Sequence, residues 1–270
     1  MLPSSFEQLI ASGEKIAMLT CYDATFAKLS AAAGVDILLV GDSLGMVVQG
    51  AENTLQVTMQ DMIYHTRCVA AGAPNTFIIT DLPYGSYEHS LEEAYQNAQK
   101  LIKAGAHMVK LEGGGEIVNT ARYLVDHNIR VCAHLGFTPQ AVQQLGGYKI
   151  QGKTEESAQK ITQDAINMSQ AGVDFILFEM VPAILAKQIT EKVGTPTIGI
   201  GAGVDCSGQV LVLQDLLGIY TGTANKHPSE YKAPRFAQNF LKDAPGIQQA
   251  IANYVQAVKN KTFPAIQHSY

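Results

Sequence analysis

The sequence has few cysteines, no long run of charge and no long apolar run, and each of these absences excludes a class of protein. The four cysteines, Cys21, Cys68, Cys132 and Cys206, lie far apart and form no CxxC pair. This spacing argues against a zinc site or a disulfide scaffold. We therefore expect reduced thiols in a cytoplasmic protein.

Charge and hydropathy exclude two further classes of partner. Charged residues make up 16% of the 270 residues, and the formal net charge is -5. No run of basic residues offers a surface for nucleic acid or anionic lipid. No segment reaches the roughly 18 apolar residues of a membrane span, and residues 1–15 lack the pattern of a signal peptide. We expect a small-molecule partner, with no nucleic acid and no membrane.

The sequence does contain a repeated pattern of amphipathic helix, glycine and apolar strand. Helical segments end at Gly34, Gly72, Gly105 and Gly172 and lead directly into apolar runs. Glycine just after a helix commonly adopts the left-handed conformation that caps it. We therefore predict a helix end at each of these glycines, in a series of βα units.

Eight apolar runs bounded by turn signals are predicted to be strands. They cover residues 16–23, 37–43, 77–83, 108–113, 131–136, 175–181, 197–203 and 210–219. Helical patterns lie between most of them, at 58–71, 90–104, 116–127, 155–171 and 182–193. Continuous apolar strands suit a parallel sheet covered on both faces. The pattern predicts an α/β fold, a (β/α)8 barrel forming one domain over residues 1–270, with an open doubly wound sheet as the alternative.

Three segments fall outside the repeat. Residues 4–12 are predicted to form a short helix that closes the bottom of the barrel. Residues 246–259 have the pattern of a final amphipathic helix. Residues 220–235 are polar and contain Pro228 and Pro234, which is typical of an irregular loop after the eighth strand.

Polar residues collect where the predicted strands end, which is where barrel enzymes place their sites. They are Asp42, Asp81, Lys110, Glu112, His134 and Glu179. Sequential strands lie roughly 4.8 Å apart, so Asp42, Asp81 and Glu112 are expected to converge. Three carboxylates this close would repel one another unless a cation joined them. Their oxygen atoms favour Mg2+, whereas capping or a salt bridge is the alternative for any one acid alone.

The other polar residues have competing interpretations. Lys110 could bind a substrate carboxylate or simply pair with Glu112. His134 could be catalytic or could be a hydrogen-bonded core histidine. Glu179 is flanked by apolar residues in FILFEMV, which suits a general base. Ser43 belongs to GDSLG, whose glycines would allow backbone and hydroxyl to approach a ligand closely.

A series of motifs resembles a known family. The segments LLVGDSLGMVVQG, YHTRCVAAGAPNTFIITDLPYGSY, MVKLEGG, VCAHLGFTPQ, GGYKIQG, FEMVP and GIGAG occur in this order. From about residue 16 to residue 268, the chain closely resembles ketopantoate hydroxymethyltransferases of pantothenate biosynthesis. The resemblance implies transfer of a hydroxymethyl group to 3-methyl-2-oxobutanoate through an enolate stabilised by Mg2+. It further implies 5,10-methylenetetrahydrofolate as donor and a homo-oligomer, a decamer in this family.

The resemblance also assigns roles to residues. It places Asp42, Asp81 and Glu112 at the metal site, Ser43 and Lys110 at the keto acid, and Glu179 as the base. We expect Asp42, Asp81 and His134 to contribute to substrate binding as well. Two alternative functions stay open: an enolate-forming lyase or mutase of the phosphoenolpyruvate mutase and isocitrate lyase type, and a binding barrel without catalysis. Such lyases need a loop cysteine, and no cysteine lies in a comparable segment.

Overall fold

The centre of the computed structural model, which describes residues 4–222, 227 and 231–270, is a closed barrel of parallel strands. The strands are β1 Ile16–Thr20, β2 Ile37–Val40, β3 Phe77–Asp81, β4 Met108–Glu112, β5 Val131–Gly136, β6 Phe175–Glu179, β7 Thr197–Ile200 and β8 Gly208–Leu211. Each strand pairs with the next, and β8 pairs with β1. The prediction of a (β/α)8 barrel is confirmed, and the open sheet is excluded.

Helices surround the barrel and alternate with most of its strands, but β8 follows β7 without a helix between them. They are α1 Ser4–Ala11, α2 Ala24–Ala32, α3 Leu44–Val47, α4 Met59–Gly72, α5 Leu91–Ala104, α6 Ile117–Asp126, α7 Glu155–Gln170, α8 Ala183–Lys192, α9 Leu213–Leu217 and α10 Ile247–Lys259. Side-chain caps fix where several begin. Thr58 and Asp61 form a reciprocal capping box at α4, and Ser90 caps α5 through the Glu93 amide. The five helices predicted between the strands begin and end within one residue of their predicted bounds.

The predicted closing helix at the bottom of the barrel is confirmed. In α1, the Phe6 side chain is buried, and its ring centroid lies 5.2 Å from that of Phe77 and 6.2 Å from that of Phe175. Phe77 and Phe175 are the first residues of β3 and β6. The helix therefore covers the amino-terminal ends of the strands with edge-to-face aromatic packing. At the other terminus, α10 confirms the predicted final helix, and its Tyr254 hydroxyl donates to the Met18 carbonyl, 2.8 Å away.

The prediction of one long strand over 210–219 is wrong. Strand β8 ends at Leu211, and the chain then turns into α9, whose Leu213 amide donates to Thr20 Oγ1 at 2.9 Å. The leucines at 213, 216 and 217 are buried on one face of this helix, and Gly218 caps it in the left-handed conformation. A short apolar run fits a buried strand or a buried helix equally well, so the periodicity did not separate the two.

Gly72 differs from the other helix-ending glycines. Gly34, Gly105 and Gly172 have positive φ, as a left-handed cap requires, but Gly72 is the last residue of α4 and does not. A Cβ at Gly72 would lie 2.2 Å from the Ala24 carbonyl oxygen. The predicted helix end is therefore confirmed at Gly72, but this glycine is not a left-handed cap; it is needed because α4 approaches the start of α2 closely.

The predicted loop after β8 is described only in part. Residues 223–226 and 228–230, which include Pro228, lie outside the described residues. On the far side of that gap, Tyr231 and Phe236 contact the cavity at the top of the barrel. In the described part of the chain, no helix has both the length and the apolar character of a membrane span.

Candidate active site

A cavity of about 950 Å3 opens at the carboxyl-terminal ends of the strands. Every sequence-predicted site residue lines it: Asp42, Ser43, Asp81, Lys110, Glu112, His134 and Glu179. In a parallel barrel the strand ends meet on one rim, so residues distant in sequence become neighbours. The expectation that these polar groups converge is therefore confirmed.

Three carboxyl groups from neighbouring strands form the floor of this cavity. Asp42 follows β2, Asp81 ends β3 and Glu112 ends β4, and one oxygen of each lies within 4.8 Å of the others. All three side chains are buried. The Asp42 amide also donates to Asp81 Oδ2 at 3.0 Å, which fixes the turn after β2 against the end of β3.

Lys110 supplies positive charge to this cluster. Its Nζ lies 3.0 Å from Asp81 Oδ2 and 3.2 Å from Glu112 Oε1, and the residue is only 3% exposed. Burial alone would lower the pKa of Lys110, but the charges of Asp81, Glu112 and Asp42 outweigh it and raise the pKa well above its usual value. The predicted pairing with Glu112 is confirmed, whereas contact with a substrate carboxylate stays a prediction.

The three carboxyl groups differ in their electrostatic environment. Burial, followed by the charges of Glu112 and Asp81, raises the pKa of Asp42 well above its usual value. Burial also raises the pKa of Asp81, although Lys110 opposes it. For Glu112 burial acts in the same direction, but Lys110 and His134 outweigh it and lower the pKa to about 2. Lys110 pairs with Asp81 and Glu112, whereas Asp42 accepts a hydrogen bond from the neutral Gln140 side chain, so a further cation would stabilise the ionised Asp42 carboxyl.

The donor set of this cluster fits a divalent metal ion. Asp81 Oδ1 is buried and has no hydrogen-bond partner among the described residues, which leaves it available as a ligand. Hard cations such as Mg2+ prefer carboxylate oxygens and retain water or substrate oxygens in their other positions. An open cavity above the carboxyl groups provides space for such ligands.

His134 connects the acidic cluster to Glu179. Its Nδ1 lies 3.1 Å from Glu112 Oε1, and its Nε2 lies 3.3 Å from Glu179 Oε2 without forming a well-aligned hydrogen bond. Burial would lower the pKa of His134, but Glu112 outweighs it and raises the pKa to about 9. Strand register produces this arrangement, because Glu112 pairs with His134 and Gly136 pairs with Glu179. The Glu179 side chain is 14% exposed and faces the cavity.

Two residues that orient the cluster were missed by the sequence analysis. The backbone N–H of Gln140 donates to Glu112 Oε2 at 3.0 Å, and the side-chain Nε2 of Gln140 donates to Asp42 Oδ2 at 2.8 Å. The Tyr87 hydroxyl donates to Gln140 Oε1 at 2.6 Å and accepts from the Glu112 amide at 3.1 Å. Both residues lie inside motifs that carry the family resemblance, so position in those motifs was the available signal.

The glycine-rich segment after β2 holds Ser43 at the cavity. A Cβ at Gly41 would lie 2.8 Å from Ser43 Oγ, so glycine permits this close approach. The Ser43 hydroxyl lies 2.9 Å from the Tyr22 hydroxyl, which is itself buried. Ser43 therefore has a fixed position on the wall of the cavity.

A second polar group on the cavity wall was also missed. Asp215, in α9, lines the cavity, and the Tyr231 hydroxyl donates to its Oδ1 at 3.1 Å. Burial raises the pKa of Asp215 to about 6. The Tyr231 hydrogen bond lowers this pKa, and the charge of Glu179 raises it further. Asp215 was not expected at the rim, because residues 210–219 were predicted to form a strand.

Comparison with known proteins identifies the family. A sequence model described as ketopantoate hydroxymethyltransferase matches residues 2–266. The chain belongs to the ketopantoate hydroxymethyltransferase family. It is 54% identical to a 3-methyl-2-oxobutanoate hydroxymethyltransferase of Nitrosospira multiformis, over 98% of this chain and 97% of that protein. It is 51% identical to the enzyme of that name from Nitrosomonas europaea, over 100% of this chain and 97% of the relative.

Solved structures with the same fold are much more distant in sequence. A phosphonopyruvate hydrolase in complex with oxalate and Mg2+ matches with a TM-score of 0.59 and 14% identity, over 78% of this chain and 81% of that chain. This likeness shows the fold alone.

The cysteines bear on the lyase alternative. All four cysteines of this hydroxymethyltransferase family member are free, and none of them lines the cavity. The lyase alternative, which needs a loop cysteine, therefore lacks support at the site.

Proposed function

We propose that this protein transfers a hydroxymethyl group from 5,10-methylenetetrahydrofolate to 3-methyl-2-oxobutanoate, giving 2-dehydropantoate. The observation that carries the proposal is the single cavity in which three carboxyl groups lie beside a His134–Glu179 pair. Membership of the hydroxymethyltransferase family over nearly the whole chain supports this choice of reaction.

Asp42, Asp81 and Glu112 would hold Mg2+ in this proposal. The free Oδ1 of Asp81 and the convergence of the three carboxyl groups within 4.8 Å support that assignment. When bound, the ion would withdraw electron density from the keto acid and so make its C3 hydrogen more acidic. Gln140 and Tyr87 keep the carboxyl groups in place, because their hydrogen bonds fix Asp42 and Glu112.

Glu179 is the proposed base. It faces the cavity next to the acidic cluster, and its Oε2 lies 3.3 Å from His134 Nε2. In the proposed reaction the C3–H bond of the keto acid breaks and Glu179 takes the proton. The C3 electron pair forms the bond to the one-carbon unit, whose two C–N bonds to N5 and N10 of the folate break. The two nitrogens take up protons and leave as tetrahydrofolate, and water supplies the hydroxyl oxygen. His134 holds Glu179 in position, while Lys110 and Ser43 would contact the keto acid.

Deuterium exchange tests the role of Glu179 without the folate. If Glu179 removes the C3 proton, the protein with Mg2+ alone should exchange the C3 hydrogen of 3-methyl-2-oxobutanoate with D2O. Glu179→Gln keeps the shape of the side chain and removes the basic oxygen, so the exchange rate should fall by about 100-fold or more. NMR of the keto acid in D2O measures this rate directly.

Glu191→Gln, a change at an exposed position on α8, is the matched control and should exchange at the parent rate. Undiminished exchange in Glu179→Gln would mean that the base lies elsewhere, with His134 as the next candidate. Normal keto-acid binding in that variant, measured by calorimetry, would separate loss of the base from loss of the site.

A homo-oligomer is the proposed state in solution. Two large apolar side chains, Ile184 at the start of α8 and Ile266 near the carboxyl terminus, are 74% and 91% exposed in the single chain. Single exposed apolar side chains also occur on monomers, so the proposal rests on the family resemblance. Sedimentation equilibrium would give the number of subunits, which family resemblance predicts to be ten.

A further inference from the structure

Asp215 is a carboxylate that the acid cluster and the proton-transfer pair do not use. It lies on the cavity wall contributed by α9, and its Oδ1 accepts from the Tyr231 hydroxyl. We propose that Asp215 binds the 2-amino-4-oxopyrimidine edge of the folate pterin ring and thereby orients the one-carbon unit toward Glu179. This inference rests on the proposed function, since it assumes a folate as the donor.

The hydrogen-bonding groups of the two partners are complementary. The pterin edge presents the ring N3–H and the 2-amino group side by side, and both are donors. An ionised carboxylate has two acceptor oxygens with about four lone-pair sites, so the Tyr231 hydrogen bond leaves capacity for two more donors. Parallel N–H to carboxylate bonds of this kind are stronger and more directional than neutral ones.

The size and shape of the cavity fit a second, flat ligand beside the keto acid. A volume of about 950 Å3 is far more than a five-carbon keto acid fills. Near Asp215 the walls include the rings of Tyr220 and Tyr231, whose centroids lie 5.0 Å apart in an edge-to-face pair. Phe236 and Tyr270 add further aromatic surface to the same cavity. Such walls favour an aromatic heterocycle.

A free hydrogen-bonding group near Asp215 also indicates a polar ligand. The Tyr220 hydroxyl is buried and has no hydrogen-bond partner among the described residues. Tyr220 and Asp215 both contact Tyr231, whose hydroxyl donates to Asp215 Oδ1 and whose ring centroid lies 5.0 Å from that of Tyr220. A buried polar atom without a partner is costly, and a ligand with several polar atoms would remove that cost.

A purely structural role explains Asp215 less well. One phenol hydroxyl is a weak partner for a carboxylate that burial makes hard to ionise. If Asp215 served only to hold Tyr231, a neutral acceptor would serve as well. A ligand with two N–H donors, in contrast, requires the ionised carboxylate.

Calorimetry with two folates tests the proposal directly. Tetrahydrofolate carries the 2-amino group, and its 2-desamino-2-methyl analogue does not. We expect the parent protein to bind tetrahydrofolate about 10- to 100-fold more tightly than the analogue, since a hydrogen bond to a charged group is lost. In Asp215→Asn, whose amide replaces one of the two acceptor oxygens by an NH2 donor and removes the charge, this preference should largely disappear. Asp243→Asn, a matched change at an exposed position, should retain it.

The exchange assay without folate separates this proposal from the proposed function. Asp215→Asn should still exchange the C3 hydrogen of the keto acid with Mg2+ alone, which also shows that the variant is folded. Equal binding of the two folates by the parent protein, or an unchanged preference in Asp215→Asn, would overturn the pterin assignment while leaving Glu179 as the base. Absence of exchange in the parent protein would instead contradict the proposed function.

Discussion

At the scale of single residues, Lys110 shows how one side chain can stabilise a site and serve it. Its ammonium group lies between Asp81 and Glu112, and all three side chains are almost completely buried. Without a metal ion, Lys110 balances the charge of Asp81 and Glu112, and His134 contacts Glu112 as well. Once a divalent cation is bound to the carboxyl groups, the Lys110 ammonium group could donate a hydrogen bond to an anionic substrate.

Lys110→Met should therefore destabilise the metal-free protein strongly. Removing one partner of a buried ion pair typically costs about 3–5 kcal/mol, because the remaining charge is left uncompensated. Urea unfolding at neutral pH in the presence of a chelator measures this loss. The control is Lys160→Met, which breaks a pair at 2.6 Å on the surface of α7, where the lysine side chain is 68% exposed.

The control should lose no more than about 1 kcal/mol. Equal losses in both variants would mean that the buried carboxyl groups do not depend on Lys110. Keto-acid affinity in the Lys110→Met variant, measured with Mg2+ present, separately tests the predicted substrate contact.

Single residues also show what the sequence could predict about the site. Asp42, Asp81, Glu112 and Glu179 were predictable because strand ends of a parallel barrel meet on one rim. Gln140 was not, because its role depends on where a turn after β5 places an amide next to Glu112. Nothing in residue type or spacing separates such a glutamine from an ordinary surface one.

At the scale of elements, the contact between α2 and α4 depends on a glycine. A Cβ at Gly72 would lie 2.2 Å from the backbone oxygen of Ala24, and backbone cannot move aside as a flexible side chain can. Gly72→Ala should destabilise the protein by roughly 1–3 kcal/mol or more through overpacking. Thermal unfolding followed by circular dichroism would measure the change.

Gly194→Ala is the matched control for this prediction. No atom lies within 4 Å of a Cβ built at Gly194. The substitution should be neutral or stabilising by about 0.4–1 kcal/mol, since it restricts the unfolded chain. If Gly72→Ala changed the stability as little as this control, α2 and α4 would have to be able to move apart without loss of stability.

The elements also show why helix bounds were easier to predict than the end of the barrel. Helices such as α5 carry a cap, an amphipathic period and a terminal glycine, which are three independent signals. The run at 210–219 is apolar apart from Gln214 and Asp215 and has no such signals before Gly218. Misassigning it concealed α9, and with it the position of Asp215 on the cavity wall.

At the scale of the whole molecule, the proposed metal site joins the ends of three strands. Without a cation, the carboxyl groups at those ends would repel one another when ionised. Asp42, Asp81 and Glu112 come from the consecutive strands β2, β3 and β4 and are buried together. Burial and neighbouring charge raise the pKa of Asp42 and of Asp81, so ionising both groups in the folded protein is unfavourable. The barrel therefore tolerates this cluster at a cost in stability that a bound cation would offset.

Asp42→Asn should accordingly have opposite effects on stability with and without Mg2+. The asparagine is neutral, and its oxygen can still accept the hydrogen bond that Gln140 Nε2 donates to Asp42. In a chelator, the variant should unfold at the same or a higher urea concentration than the parent protein. At Mg2+ concentrations 100-fold above Kd, the parent should gain about 2.7 kcal/mol and the variant almost nothing. Asp243→Asn, at an exposed position, should gain as much as the parent. A full Mg2+ effect in Asp42→Asn would place the ion elsewhere, whereas a large loss of metal-free stability would mean that the Asp42 charge is needed for folding.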